Sequence, residues 1–161
     1  MRGLLSVFSR RFGRLAGTPA LTFLWCPLLV LVWEYVARGG PWRADPRFLP
    51  LVIWGMLQAH FSQYYRRRHG GGGPGLAVPP ERLVTSGPYA YTRNPVYLGY
   101  MLFLAGLALT LSSALGVLLT IVVVIRLHRR VRWDEQRLAS LFGEPYRDYA
   151  TRVRRWIPGL L

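Results

Sequence analysis

The chain has 161 residues, 52% of them hydrophobic, and its 21 basic and 7 acidic side chains give a formal net charge of +14. This combination excludes an ordinary soluble acidic enzyme. It also argues against a disordered basic tail or a nucleic-acid-binding protein, because such chains lack long uncharged runs. We therefore expect a small, all-α, polytopic membrane protein. It should form one domain, residues 1–161, with room for about four helices of about 20 residues each.

The first half of the chain contains two apolar segments bordered by arginines. Residues 18–37 follow four arginines within residues 1–17, and residues 48–65 end in aromatic residues followed by three consecutive arginines from Arg66. Aromatic and basic residues concentrate where a membrane helix meets water. Both segments are therefore predicted to span the membrane.

A glycine-rich stretch, residues 70–75, interrupts the helical pattern after the second apolar segment. Such a composition holds neither helix nor strand, and we predict a flexible joint leading into a cytoplasmic loop, residues 70–95. A single Gly-rich run of this spacing does not match a phosphate-binding loop.

The next apolar run, residues 96–125, is too long for one crossing. As a straight helix it would measure about 45 Å, against a hydrocarbon core of about 30 Å. Ser112 and Ser113 offer a turning point, so we predict a tight hairpin of two short spans, residues 96–111 and 114–129. Three glycines, Gly99, Gly106 and Gly116, would let helix backbones approach closely.

The arginines are distributed unevenly between the loops. Four precede the first span, three lie between the first two spans, five lie from Arg66 to Pro95, and nine follow from Arg126 onward. With four spans the three richest regions share one side, which predicts cytoplasmic termini and a cytoplasmic active site, in the inner membrane if the source is bacterial. Residues 130–161 are predicted to be a cytoplasmic tail with an amphipathic segment at the membrane surface.

Two polar segments, residues 83–99 and 130–158, flank the last pair of spans. A hairpin would bring both to the same face of the membrane and form a compact site. The polar and aromatic residues it would gather are Tyr89, Tyr91, Arg93, Asn94, Tyr97, Arg130, Asp134, Glu135, Tyr146 and Tyr149. No metal site is expected, because His128 has no partners at metal-ligand spacing.

In these two segments the chain resembles the isoprenylcysteine carboxyl methyltransferase family and the related phospholipid methyltransferases, which are membrane enzymes that use S-adenosylmethionine. The first block matches the family pattern at Leu83, Val84, Gly87, Tyr89, Arg93, Asn94, Pro95, Tyr97 and Gly99. The second block matches it at Arg130, Asp134, Glu135, Leu138, Phe142, Gly143, Tyr146 and Tyr149, followed by Arg152, Val153, Arg155 and Pro158. Two ordered blocks at the right separation make the resemblance specific over residues 81–158.

The resemblance implies which residues bind the cofactor and which meet the methyl acceptor. The implied cofactor-binding residues are Leu83, Val84, Tyr89, Asn94, Pro95, Val96, Tyr97, Asp134 and Glu135, and the implied catalytic residues are Arg130 and Arg93. The residue types suit the chemistry, since carboxylates suit the ammonium or ribose of S-adenosylmethionine, aromatic faces suit its adenine or sulfonium, and arginine suits a carboxylate.

Two positions depart from the family pattern. The family histidine is replaced by Asn94, which forms hydrogen bonds but does not titrate near neutral pH. The first of two paired glutamates is replaced by Asp134, which is one methylene shorter. A role for position 94 in proton transfer is therefore in doubt.

The expected reaction is transfer of a methyl group to a carboxylate on a lipidic or apolar, prenylcysteine-like acceptor, which is ionised at neutral pH and needs no general base. The alternatives within the enzyme class are N-methylation of a phospholipid and S-methylation of a thiol. A third alternative is a non-catalytic lipid-binding membrane protein whose basic tail contacts anionic headgroups. Under that alternative, Asp134 and Glu135 would simply form ion pairs with nearby arginines on a surface helix.

Overall fold

The computed structural model describes residues 17–41, 43–71 and 80–156, and within them the chain folds into helices without a strand. Helix α1 spans Thr18–Arg38, with a π-helical stretch at Leu21–Trp25, and α2 spans Leu49–Gly70 after a short 3-10 turn. Helix α3 spans Pro95–Thr110, α4 spans Ala114–Phe142 and α5 spans Glu144–Arg152. The predicted all-α class is confirmed. The N-terminal arginines, most of the predicted glycine joint and the last five residues lie outside the described ranges.

Among the described residues, one helix is long and apolar enough to cross a membrane, and it is α1. Its outer surface exposes large apolar side chains, among them Leu28, Val32, Trp33 and Val36. Helix α3 is strongly apolar but has only 16 residues. Helices α1 to α4 each begin within one residue of the start of a predicted span. The number of membrane crossings stays a prediction.

Glycines let α3 pack directly against α2. A Cβ atom on Gly99 would lie 2.7 Å from the backbone nitrogen of Ala59, and one on Gly106 would lie 2.7 Å from that of Val52. Opposite them, a Cβ on Gly55 would overlap the backbone nitrogen of Phe103. Sequence had placed Gly99 and Gly106 in the context of the α3–α4 hairpin, whereas the surface they fit belongs to α2.

Helix α4 begins at the predicted turning point but continues past the predicted end of its span. The side chain of Ser113 caps the helix, because its hydroxyl accepts a hydrogen bond from the backbone N–H of Gly116 at 3.0 Å. No residue between Ala114 and Phe142 breaks the helix, so the apolar first part and the arginine-rich second part form one rod of 29 residues. The second motif segment is therefore carried rigidly away from the hairpin.

A polar clamp of Glu34, Arg38 and Ser113 fastens α1 to the turn between α3 and α4. Glu34 is buried, accepts a hydrogen bond from the Ser113 hydroxyl at 2.5 Å and pairs with the guanidinium of Arg38 at 2.7 Å. Arg38 also donates to the backbone carbonyls of Leu111 and Ser112, at 3.0 and 3.1 Å. The clamp thus satisfies carbonyls that the end of α3 leaves without helical partners.

Replacing Glu34 by alanine is expected to lower the free energy of unfolding by about 2 kcal/mol, because a buried serine hydroxyl and an arginine lose a charged partner. Thermal unfolding of the detergent-solubilised protein measures this loss. Glu144→Ala is the matched control, since Glu144 forms an exposed ion pair with Arg147 on α5. Equal stability of the two variants would show that the clamp does not hold α1.

The C-terminal segment returns to the start of α3. Gly143, with φ of +60°, ends α4 and lets α5 fold back. The following residues run beside the loop before α3, where the backbone N–H of Arg93 donates to the carbonyl of Arg154 at 2.9 Å and the Thr92 hydroxyl donates to the carbonyl of Arg155 at 3.0 Å. This return brings the two motif segments into contact.

Candidate active site

A cleft with a cavity volume of about 90 Å³ lies between the start of α3, the C-terminal third of α4 and helix α5. Ten of the eleven residues that the sequence predicts for the site line the cleft. They are Leu83, Val84, Tyr89, Arg93, Asn94, Pro95, Val96, Tyr97, Asp134 and Glu135. The second motif block also contributes Leu138 from α4, and the folding-back of α5 adds Tyr146 and Tyr149.

Arg130 is the predicted site residue that does not line the cleft. One helical turn before Asp134 on α4, its Nε lies 3.2 Å from Oδ1 and 3.3 Å from Oδ2 of that carboxylate. The Tyr97 hydroxyl donates to Asp134 Oδ2 at 2.7 Å from the other side. Arg130 therefore reaches the cleft through Asp134 and faces a second groove on the outer side of α4.

Glu135 joins the two motif segments. Its carboxylate accepts hydrogen bonds from Nε and Nη2 of Arg155, the shortest at 2.8 Å, and lies 3.3 Å from Nε of Arg93. The hydrogen bond to Glu135 raises the pKa of Arg155. The side-chain amide of Asn94 donates to Glu135 at 3.3 Å. Glu135 thus orders the wall of the cleft through three partners.

Asn94 occupies the position of the family histidine without distorting the loop. It stands just before α3, and its backbone N–H donates to the Thr92 hydroxyl at 3.2 Å. Its amide nitrogen also donates to the backbone carbonyl of Arg155 at 3.3 Å. The amide holds the loop and the C-terminal segment together, and it neither gains nor loses a proton near neutral pH.

Arg93 is engaged in contacts within the protein. Its guanidinium donates to the carbonyl of Ala150 at 2.9 Å and pairs with Glu135, and its side chain is only 13% exposed. A buried arginine with these partners is arranged to position α5. Arg93 therefore lines the cleft and is held by α5 and Glu135, and its catalytic role stays a prediction.

The tyrosines on α5 differ in their hydrogen bonding. The Tyr149 hydroxyl donates to the backbone carbonyl of Tyr89 at 2.7 Å, which ties α5 to the loop. The Tyr146 hydroxyl is buried and has no hydrogen-bond partner among the described residues. Burial, reinforced by the nearby charge of Glu135, raises the pKa of Tyr146 to about 12. Tyr146 therefore presents a protonated, unused donor at the wall of the cleft.

Three other cleft residues, Arg66, Pro80 and Arg137, were neither predicted for the site nor matched to the family pattern. Arg66 was interpreted as one of three arginines at the water interface, yet it is only 8% exposed while Arg67 and Arg68 are exposed. The spacing of Ala59, Ser62 and Arg66 on one face of α2 is the signal that could have revealed it, because the first two are small residues suited to close packing.

A sequence model of the family described as Phospholipid methyltransferase matches residues 58–145, more than half of the chain. The chain belongs to the phospholipid methyltransferase family. This membership confirms the resemblance drawn from the two motif blocks, and the matched range contains the whole first block and the second block up to the start of α5.

Several curated relatives carry methyltransferase names, and one is named Cobalt-zinc-cadmium resistance protein CzcN, of Cupriavidus metallidurans. Protein-S-isoprenylcysteine O-methyltransferase of Schizosaccharomyces pombe is 35% identical over 77 residues, which are 47% of this chain and 33% of the relative. Methanethiol S-methyltransferase 1 of Bradyrhizobium diazoefficiens is 33% identical over 84 residues, which are 52% of this chain and 29% of the relative. The matched segment thus spans about a third of the length of these relatives.

The fold is shared with a solved membrane enzyme. The structure of the eukaryotic intramembrane Ras methyltransferase, isoprenylcysteine carboxyl methyltransferase, superposes with a TM-score of 0.62 at 22% identity and covers 88% of this chain and 53% of that chain. The superposition therefore extends well beyond the two motif blocks and shows that the chain has the fold of this membrane enzyme.

Proposed function

We propose that this chain is a membrane methyltransferase that uses S-adenosylmethionine to methylate the carboxylate of an apolar or prenylcysteine-like acceptor. The observation that carries the proposal is the cleft, where ten of the predicted site residues, from distant parts of the sequence, share one lining. If these arginines and carboxylates only formed ion pairs on the surface, they would not need to line one cleft together. The names of the relatives support the reaction class.

The donor set of the cleft fits S-adenosylmethionine, which supplies an electrophilic methyl group when bound. Arg66 and Arg137 suit its carboxylate, and the unused hydroxyl of Tyr146 is a donor for one of its oxygens. Asp134 suits its ammonium or ribose. The aliphatic wall contributed by Leu83, Val84, Val96 and Leu138 suits the adenine.

Arg130 is proposed to orient the acceptor. Its side chain is 38% exposed and uses Nε on Asp134, so its remaining N–H groups can bind an acceptor carboxylate held beside Asp134, at the edge of the cleft that would hold the methyl donor. Displacement at a methyl group depends mainly on alignment, and a carboxylate needs no base. A reaction without a general base agrees with the presence of Asn94, because its amide cannot take a proton from the methyl acceptor at neutral pH.

The same proposal places the protein in the membrane as one domain. Four spans, at residues 18–37, 48–65, 96–111 and 114–129, would leave both termini, the loop of residues 70–95 and the cleft on the cytoplasmic side. The arginine distribution supports this orientation. The cofactor would then enter from water while the acceptor arrives from the bilayer.

Calorimetric titration with S-adenosylhomocysteine tests the cofactor site. Asp134→Ala is expected to weaken binding about tenfold, because the ligand loses a charged hydrogen-bond partner. Glu144→Ala is the control, since this exposed carboxylate on α5 is outside the cleft. Absence of saturable binding by the folded wild-type protein would overturn the methyltransferase proposal and favour the non-catalytic lipid-binding alternative.

A second acceptor class has its own support. The family description names phospholipids, and one relative is named as a methanethiol S-methyltransferase. Products from membrane extracts incubated with labelled cofactor separate the classes, because a methyl ester is released by alkali whereas N-methyl and S-methyl groups are stable. An alkali-stable product would show that the methyl acceptor is an amine or a thiol and not a carboxylate.

A further inference from the structure

A second cavity, separate from the cleft, lies beside α4 where the helix changes from apolar to basic. Its floor includes Val122 and Ile125, Thr18 at the start of α1 closes one side, and its basic end is formed by Arg126, Arg129 and Arg130. We call it the arginine groove. Helix α4 is apolar from Ala114 to Ile125 and basic from Arg126 onward, so the groove crosses the boundary between hydrocarbon and headgroups.

Two of the three arginines of the groove, Arg126 and Arg129, carry charge that the described residues do not balance locally. The three arginines occupy positions i, i+3 and i+4 on one face of α4, where like charges repel. Arg130 has Asp134 as a partner. In the part of the chain that the structure describes, neither Arg126 nor Arg129 forms an ion pair or a hydrogen bond. None of the described residues that line the groove is acidic.

We propose that the arginine groove binds an acidic membrane phospholipid, with the phosphate at Arg126 and Arg129 and one acyl chain along Val122 and Ile125. Charge complementarity selects an anionic headgroup, and the absence of a carboxylate in the lining leaves a choline group without a partner. The aliphatic floor favours a lipid over a free phosphate ion, because the ion has no apolar surface to bury against Val122 and Ile125. This assignment stands whether or not the cleft transfers methyl groups.

The test is a titration of the full chain in detergent with phosphatidylglycerol, phosphatidylcholine or inorganic phosphate, followed by native mass spectrometry. We expect saturable binding of phosphatidylglycerol, with Arg126→Gln and Arg129→Gln each weakening it about fivefold. Arg126→Lys should retain binding, because a lysine keeps the charge. Arg132→Gln is the matched control, as Arg132 is an exposed arginine of α4 that does not line the groove.

Val122→Ser examines the aliphatic floor and should weaken phosphatidylglycerol binding without changing the charge. Three results would overturn the proposal. Equal affinity for phosphatidylcholine would show that the groove does not select an anionic headgroup. Equal effects of Arg126→Gln and Arg132→Gln would show that binding depends on the net charge of the protein and not on the groove. Displacement of phosphatidylglycerol by an equal concentration of inorganic phosphate would identify a site for a free anion.

Discussion

Replacing Arg130 by alanine is expected to lower the rate of methyl transfer about 100-fold while leaving the affinity for S-adenosylhomocysteine unchanged. The guanidinium lies outside the cleft lining and contacts it through Asp134. Losing it should misalign the acceptor, and misplacement of a reactant by about 1 Å costs about this factor. Single-turnover kinetics with labelled cofactor, together with calorimetry on the same preparation, measures both quantities.

The controls for this prediction separate orientation of the acceptor from support of Asp134. Arg130→Lys keeps the charge but loses the planar fork, so it should recover only part of the rate. Arg132→Ala, on the same helix, should have normal kinetics. If Arg130→Ala weakens cofactor binding as much as Asp134→Ala does, then Arg130 acts by holding the carboxylate and the acceptor must be recognised by other residues.

Much of the site could be predicted from the sequence because its two halves lie in short, ordered blocks. The residues from Leu83 to Tyr97 cluster at the start of α3, and Asp134 and Glu135 are adjacent on α4, so a hairpin is enough to bring them together. Glu135 was interpreted both as a site residue and as a member of surface ion pairs. It lines the cleft, and it is also paired with Arg93 and Arg155.

The remaining site residues depend on helix phase and tertiary contact, which the motifs do not contain. Arg66 faces the cleft because α2 packs on α3 in one particular rotation, whereas the neighbouring Arg67 faces away. Arg137 is on the second block but at a position to which the resemblance assigns no role. The change from apolar to basic composition at Arg126 predicts a membrane boundary and does not end the helix, which continues to Phe142.

The sequence also does not reveal which helix packs against the glycines of α3. A glycine indicates that a backbone comes close but not which backbone, and Gly99 and Gly106 are equally compatible with contacts to α4 or α2. Only the matching small residues of α2, Gly55 and Ala59, decide between them. Since α3 carries the first motif segment at its start, this packing also fixes where the cleft begins.

Gly55→Ala should therefore destabilise the protein by about 3 kcal/mol, as overpacking of a close interface does. The new Cβ would overlap the backbone nitrogen of Phe103 and lie 2.7 Å from the carbonyl oxygen of Gly99. Neither contact can be relieved by rotating a side chain, so α2 and α3 must separate. The gain in helix propensity from glycine to alanine, about 1 kcal/mol, offsets only part of this cost.

Unfolding of the detergent-solubilised protein by sodium dodecyl sulfate measures the loss. Gly40→Ala is the control, because a Cβ at that position meets no described atom within 4 Å. Gly106→Ala should resemble Gly55→Ala, since its Cβ would approach the backbone of Val52. Separation of the helices should also move Arg66 away from the cleft and weaken binding of S-adenosylhomocysteine in the fraction that stays folded. Wild-type stability of Gly55→Ala would mean that α2 and α3 are not in backbone contact, and the position of Arg66 in the cleft would then lose its support.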